Sequence, residues 1–343
     1  MLINFFIFQI RALTSSIKFP RTTDSRLLEL GASIPGLVTR SVAVNTLKTY
    51  NQGFRAWKHW SRCYPGVDTL PIKGLHFAFF VTSVVQQNGK FGKIEQAFYG
   101  VNWLHKVLGL PNPCDSPLVR NVKEAAKRIL KKPKVKKCPI RPHHLESLVN
   151  QFADTENLLS IRILAIALLS YAGFLRYDEV SRVKRNNIHF EKTYLKLFLE
   201  SSKTDQEGDG DTVYIARTGR STCPFNMLRK YLRIAGIESS DSNYIFRPSV
   251  RTKAGHRLKN VSKPISYSTA RDTVMAAVES IGLDRNLFGL HSFRRGGATE
   301  AAKRGVSDRL FKKHGRWSTD NAKDGYVSED IEARLSVSRK LGI

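Results

Sequence analysis

The chain has 343 residues and sets 56 Lys and Arg against 29 Asp and Glu, a formal net charge of +27. An excess of that size calls for a polyanionic partner, nucleic acid first. With 41% hydrophobic and 10% aromatic residues, the chain is not a disordered basic tail. Its cysteines, Cys63, Cys114, Cys138 and Cys223, form no C-x-x-C pair, which argues against a disulfide scaffold or zinc finger and for a reducing compartment.

Residues 1–40 begin with an apolar run followed by Arg11, Lys18 and Arg21. A weak presequence has this composition, but no cleavage pattern is clear, and the segment is read as a poorly ordered N-terminus. From 41 to 130 the patterning is helical. Apolar and aromatic steps of three and four in NTLKTYNQGFRAWKHWSRCYP give one amphipathic helix stopped at Pro65-Gly66. Further helices are expected over Gly74 to Gln87, Lys93 to Leu108 and Pro117 to Leu130. Their aromatic residues suit a core better than a ligand cage.

Between Arg120 and Arg141 stand ten Lys or Arg residues and one acid, Glu124. Residues 131–141, rich in proline and without an apolar period, read as a basic linker. Lys131, Lys132, Lys134, Lys136 and Lys137 are placed to lie against a phosphate backbone. The plainer alternative is a solvated basic loop, and a nuclear import signal is a further weak match.

A larger domain is expected over 142–327. The apolar stretch Leu158 to Leu175 carries Arg162, Ser160, Ser170 and Gly173, which suits a buried core helix rather than a membrane span. Ile188 to Phe190, Tyr194 to Thr204 and Thr212 to Ala216 alternate as strands around a turn at 205–210. Helical patterns return over Pro224–Ala235, Ser268–Ile281, Ser292–Arg304 and Ser307–His314. The fold class is therefore mainly α with a small antiparallel β-sheet, in two domains.

Two-metal nuclease chemistry needs clustered carboxylates, and here the acids are scattered. Asp205, Glu207, Asp209 and Asp211 alternate through the turn but lack the twelfth-position Glu of a calcium loop. No G-x-x-x-x-G-K occurs. No metal or nucleotide cofactor is expected.

The C-terminal third offers another chemistry. His291 and Arg294 are one helical turn apart and share a face. Tyr326 follows, Arg176 and Glu179 lie after the apolar helix, and Lys203 sits at the strand end before the turn. Two guanidinium forks can hold the non-bridging oxygens of a phosphodiester under attack. A phenol needs a base such as His291 to become a nucleophile near neutrality. A lysine with a lowered pKa can protonate the leaving 5′ oxygen.

This ordered set of Arg, Lys, H-x-x-R, His or Trp, then Tyr resembles the tyrosine recombinase (integrase) family. Trp317 stands nine residues before Tyr326, in the His-or-Trp place, whereas His314 is twelve away. Lys184, Lys192 and Lys196 compete with Lys203 if the hairpin is shifted. The GRW…GYV phrasing looks like Crypton and DIRS mobile-element recombinases. The resemblance implies a C-shaped clamp on double-stranded DNA, with a helical core-binding domain and a catalytic domain. It implies Tyr326 as nucleophile, Arg176 and Arg294 on the phosphate, and His291 as base. Lys203 would be the acid, Trp317 a packing and hydrogen-bonding group, and Glu179 support for an arginine. Dimers on a site and tetramers in synapsis follow, without ATP or a membrane. A tail helix over 328–343 would dock on its own domain or on a neighbouring subunit. The compartment would be the nucleus in a eukaryote and the cytoplasm otherwise. Other readings are a type IB topoisomerase-like relaxing enzyme and an inactive DNA-binding descendant of a recombinase.

Overall fold

The computed structural model describes residues 24–132, 136–201 and 209–327, together with 335 and 338–340. Lys134, Lys203, most of the 205–210 turn and most of the expected tail helix lie outside the described residues. The chain divides into two compact units, Met1–Lys134 and Val135–Ile343, at a point inside the expected basic linker.

The first unit is all helical: α1 (Ser25–Arg40), α2 (Val44–Ser61), α3 (Gly74–Gln86), α4 (Phe91–Val107) and α5 (Pro117–Leu130). Helix α1 corrects the reading of a poorly ordered N-terminus for 25–40, while 1–23 lie outside the described residues. The Asp24 carboxylate caps it by accepting from the Arg26 and Leu27 amides, at 2.8 and 3.1 Å. Gly31, Pro35 and Gly36, all usual helix breakers, had masked the pattern. The other four helices bury Trp57, Phe77, Phe80, Ile94, Val101 and Leu104. Trp57 meets Phe77 and Phe80 edge-on at 5.7 and 5.9 Å, and its indole N–H donates to the Thr69 carbonyl at 3.0 Å. These aromatic residues are core. No single described helix is long and apolar enough to cross a membrane.

The second unit is built around α7 (Leu158–Ala172), which follows α6 (Pro142–Phe152). Helix α7 is buried nearly all round, as its continuous apolar sequence requires. Even Arg162 is buried, with a guanidinium N–H donated to the Arg247 carbonyl at 3.1 Å. After α8 (Tyr177–Ser181) comes an antiparallel sheet in the order β1 (Ile188–Phe190), β2 (Tyr194–Leu199), β3 (Asp211–Ala216). Leu197 faces Ile188 on one side and Val213 on the other. Strand β2 stops at Leu199, short of the expected Thr204. Then follow α9 (Pro224–Ile234), a hairpin of β4 (Ser249–Thr252) and β5 (Gly255–Leu258) that the sequence did not announce, and α10 (Tyr267–Ser280). Helices α11 (His291–Lys303), α12 (Asp308–Gly315) and α13 (Asp320–Asp324) complete the unit.

Part of the basic linker is not free. The Cys138 amide donates to the Leu287 carbonyl at 2.7 Å, and the Ile140 amide to the Ser292 carbonyl at 3.0 Å. Arg295 donates to the Lys137 carbonyl at 2.6 Å, and the Lys137 ammonium to the Asn286 carbonyl. Residues 137–140 are thus a strap across the start of α11, while Lys131, Lys132 and Lys136 project into solvent.

Helix α11 reaches α7 because Gly297 has no side chain. A Cβ at 297 would overlap the Tyr171 carbonyl, a backbone atom that cannot swing aside. Gly297→Ala is expected to destabilise the protein by about 1–3 kcal/mol, the usual cost of overpacking. Gly92→Ala, where nothing lies within 4 Å, should cost nothing or slightly stabilise α4. Urea unfolding of the two variants checks the contrast.

Candidate active site

Helix α7 ends at Ala172 because Gly173 caps it and Phe174 takes a left-handed conformation, φ +47°. The carbonyls at a helix C-terminus lack intrahelical partners and carry partial negative charge. N–H donors from far along the chain fill these positions. Arg316 donates to the Gly173 and Phe174 carbonyls at 3.3 and 3.0 Å, and Arg294 also donates to the Phe174 carbonyl. His314 Nε2 donates to the Ala172 carbonyl at 2.7 Å, which fixes its tautomer, since a carbonyl only accepts.

The chain then turns into α8 with Arg176 as its N-cap. Glu179 reaches back and accepts the Arg176 amide on Oε2 at 2.8 Å and the Arg176 guanidinium on Oε1 at 2.7 Å. Arg316 adds a third bond, to Oε2 at 2.9 Å, and an Arg294 nitrogen stands 3.7 Å from the same oxygen. The Glu179 side chain is 2% exposed and that of Arg294 is 0% exposed. Burial alone would raise the Glu179 pKa, but Arg316, the Arg176 amide, Arg294 and the Arg176 charge together hold it below the usual carboxylate value.

One carboxylate therefore answers three guanidinium groups. Burial, and next the like charge of Arg176, push the Arg294 pKa down. Hydrogen bonding is incomplete in the same place. Arg294 Nε, Arg316 Nε and Trp317 Nε1 are buried N–H donors with no partner among the described residues. Among the described residues Arg185, Arg247 and Arg295 also leave a buried Nε without a partner, so what marks this place is that three such donors belong to one cluster.

The aromatic wall of the cluster comes from α12 onward. Trp317 is buried and packs 5.0 Å from Phe311 and 5.9 Å from Phe174. Gly315 makes room for it, since a Cβ there would overlap the indole. Tyr326, half-buried, lies 5.5 Å from Trp317, and the Arg294 guanidinium sits 4.8 Å from the Tyr326 ring and 5.0 Å from the Trp317 ring. His291 opens α11 at the surface. Crowding by protein, followed by the charges of Arg294 and Arg176, lowers its pKa, so the ring is neutral at pH 7. His314 is also held low, by burial, and its N–H is spent on α7.

Arg176, Glu179, Arg294, Trp317 and Tyr326, foreseen from the sequence, thus gather at one place, with His291 one turn before Arg294 on α11. Lys203 lies outside the described residues. Of its competitors, Lys184 is paired with Glu200 at 2.9 Å. Lys192 sits in the β1–β2 turn, and Lys196 lies mid-strand opposite His189 and Tyr214. A cavity of about 110 Å³ is lined by Glu179, Leu199, Glu200 and Ser201, so the β2 end that leads to Lys203 borders the cluster. Arg316 was not foreseen. Among the described residues no group of three or more His, Cys, Asp or Glu is placed to hold a metal ion.

Residues 120–332 match the model of the Phage integrase family. The "Integrase/recombinase xerD homolog" of Selenomonas ruminantium is 27% identical over 328 residues, which is 94% of this chain and 92% of that protein. Among solved structures, the XerH site-specific recombinase bound to palindromic difH substrate, in a post-cleavage complex, gives a TM-score of 0.61 at 13% identity. That likeness covers 99% of this chain and 94% of XerH. A lambda integrase (75–356) dimer bound to a COC′ core site gives 0.56 at 17% identity, over 85% of this chain and 91% of the integrase. At these identities the structures show a shared fold.

The low Glu179 pKa makes a stability prediction. A depressed carboxylate contributes stability that is present above its unfolded value, near 4.5, and is lost as pH falls through the lower folded value. Glu179→Gln should destabilise the protein at pH 7 by about 3–5 kcal/mol, the cost of breaking a buried ion pair. It should also flatten the stability curve below pH 4.5. Urea midpoints between pH 3 and pH 7, roughly the range over which a carboxylate titrates, check both effects.

Proposed function

The chain belongs to the phage integrase family, the tyrosine recombinases, and from that premise we propose that it cuts and rejoins specific sites in duplex DNA through a 3′-phosphotyrosine. The observation that carries this reading is the buried arginine cluster with one carboxylate and three orphaned N–H donors, walled by Trp317 and Tyr326. A site with surplus positive charge and vacant donors is made for a phosphate.

In the proposed reaction Arg176 and Arg294 bind the non-bridging oxygens, and the Trp317 indole N–H donates to one of them. Neutral His291 takes the phenol proton as the Tyr326 oxygen attacks phosphorus. The bond from phosphorus to the 5′ oxygen breaks, and Lys203 gives that oxygen a proton. The tyrosyl ester keeps the energy of the broken bond. A free 5′ hydroxyl on a partner strand then attacks it, with the two proton transfers reversed, so no ATP is consumed. The guanidinium groups carry the developing charge that a metal would otherwise carry. Lys203 is taken as the acid from its place in the ordered set, and the pairing of Lys184 with Glu200 counts against that competitor.

Lys131, Lys132, Lys134 and Lys136 are proposed contacts to backbone phosphates. Lys137, already bonded to Asn286, serves the strap as well. Pairing of protomers on one site, their assembly into tetramers, the tail at 329–343 as a linking element and an origin in a mobile element belong to the same proposal.

Tyr326 is the only tyrosine after Tyr267. Tyr326→Phe should abolish the covalent protein–DNA adduct and leave DNA binding within about twofold, since one hydroxyl contributes little to an interface of many phosphate contacts. An adduct that survives in denaturing gels overturns the assignment. Lys203→Ala should cut normal DNA slowly, by roughly 10²–10⁴-fold, the usual worth of a general acid. The same variant should recover on DNA whose bridging 5′ oxygen is sulfur, because a thiolate leaves without a proton. Failure to recover moves the acid to another group.

A further inference from the structure

The left-handed region is where a helix-terminating residue is usually glycine, and Arg316 occupies it with φ +54° and ψ +45°. A β-carbon there is strained, so the side chain must repay what the backbone loses. It is buried and makes bonds in four directions: to the Gly173, Phe174 and His314 carbonyls and to Glu179 Oε2. Arg316 therefore joins the reversal that carries Trp317 to the end of α7 and to the acid that orients Arg176.

The distances around Oε2 say what this achieves. Arg316 stands 2.9 Å from that oxygen and the Arg176 amide 2.8 Å, whereas Arg294 is left at 3.7 Å. A carboxylate oxygen offers about two good acceptor directions, and both are taken. Were Arg316 missing, Oε2 would have a free lone pair facing the nearest remaining cation, Arg294. Arg294, whose terminal nitrogens already donate to the Phe174 and Gly315 carbonyls, would turn its remaining N–H toward the carboxylate and away from a phosphate. We propose that Arg316 is a positioning residue that saturates Glu179 Oε2, so that Arg294 stays available to the anion and Trp317 stays beside it. This rests on the recombinase reading for the identity of the anion, though the anion site itself rests on the cluster.

The test uses the full chain with Arg316→Gly, which fits the backbone and so separates strain from function. Unfolding by urea should show a lower folding constant, since the loss of a buried ion-pair partner outweighs the strain that the glycine relieves, so adduct rates are compared only under conditions where both proteins are fully folded. Single-turnover adduct formation should slow by about 10- to 100-fold, the usual loss when an orienting partner is removed, with DNA affinity little changed. Arg316→Lys should recover part of the rate, and guanidinium ion added at low millimolar concentration should recover part in Arg316→Gly. Independently of DNA, inorganic phosphate should raise the melting temperature of Arg316→Gly less than that of the parent. Arg257→Ala, an exposed arginine on β5, controls for the lost charge and should keep the parent's response.

Unchanged adduct rate and phosphate response in Arg316→Gly overturn the proposal, as does a loss of rate that only follows loss of folded protein. If the parent chain itself makes no adduct on any site, the recombinase reading falls. The phosphate response then still decides whether Arg316 keeps the cluster open to an anion.

Discussion

The second unit depends on how three guanidinium groups are held out of water by one carboxylate. Taking an ion from water into protein costs several kcal/mol even after relaxation. Glu179 meets part of that cost with bonds to Arg176 and Arg316, and the carbonyls at the end of α7 meet another part. What remains is a positive surplus, three guanidinium groups to one carboxylate, with N–H donors left vacant beside it. The folded protein thus carries an unmet demand for an anion, and planar guanidinium forks favour one with phosphate geometry.

Everything near the cluster serves to fix it. Helix α7 is rigid because it is buried nearly all round, and its C-terminus is a platform on which Arg294, His314 and Arg316 converge from a single stretch of sequence. The bare backbone at Gly297 lets α11 press against that platform. Phe174, Ala298, Phe311 and Trp317 form a small apolar cluster apart from the main core, and it is this patch that seats the Tyr326 ring. Arg294 is fully enclosed, whereas Arg176 is 14% exposed. Arg176 is therefore the fork that a ligand from solvent meets first, and Arg294 the one it reaches behind it.

Much of this was legible because the relevant signals are local. Helices α2 to α5 and α7 declare themselves by apolar period and length, and His291 and Arg294 by their spacing of one turn. Arg176, Trp317 and Tyr326 were legible only as an ordered set, since each alone is an ordinary residue. The misses have physical causes. Helix α1 is hidden by Pro35 and two glycines, and it leaves Leu27, Leu28, Leu30, Ile34 and Leu37 exposed, so no burial pattern marks it. The β4–β5 hairpin is four residues a strand, too short for alternation to register. Arg316 escaped because an arginine in a left-handed cap has no sequence signature. Its meaning lies in Glu179, 137 residues away.

The charge of +27 is found in two different settings, and in the proposed reading each has its own task. Lys131, Lys132 and Lys136 are exposed, and at physiological salt their field is screened over about 8 Å. They can attract and hold a polyanion, but with an affinity that salt erodes. The arginine cluster is buried, screened far less, and oriented by hydrogen bonds at 2.7 to 2.9 Å. Lysines on flexible stems suit the first task, since backbone phosphates need only be neutralised, not oriented. Arginines locked to a carboxylate and to a helix end suit the second, since charge that develops in an attacked phosphodiester must meet donors already in place. In the proposed reading the same positive sign is divided by burial into affinity on the outside and reactivity within.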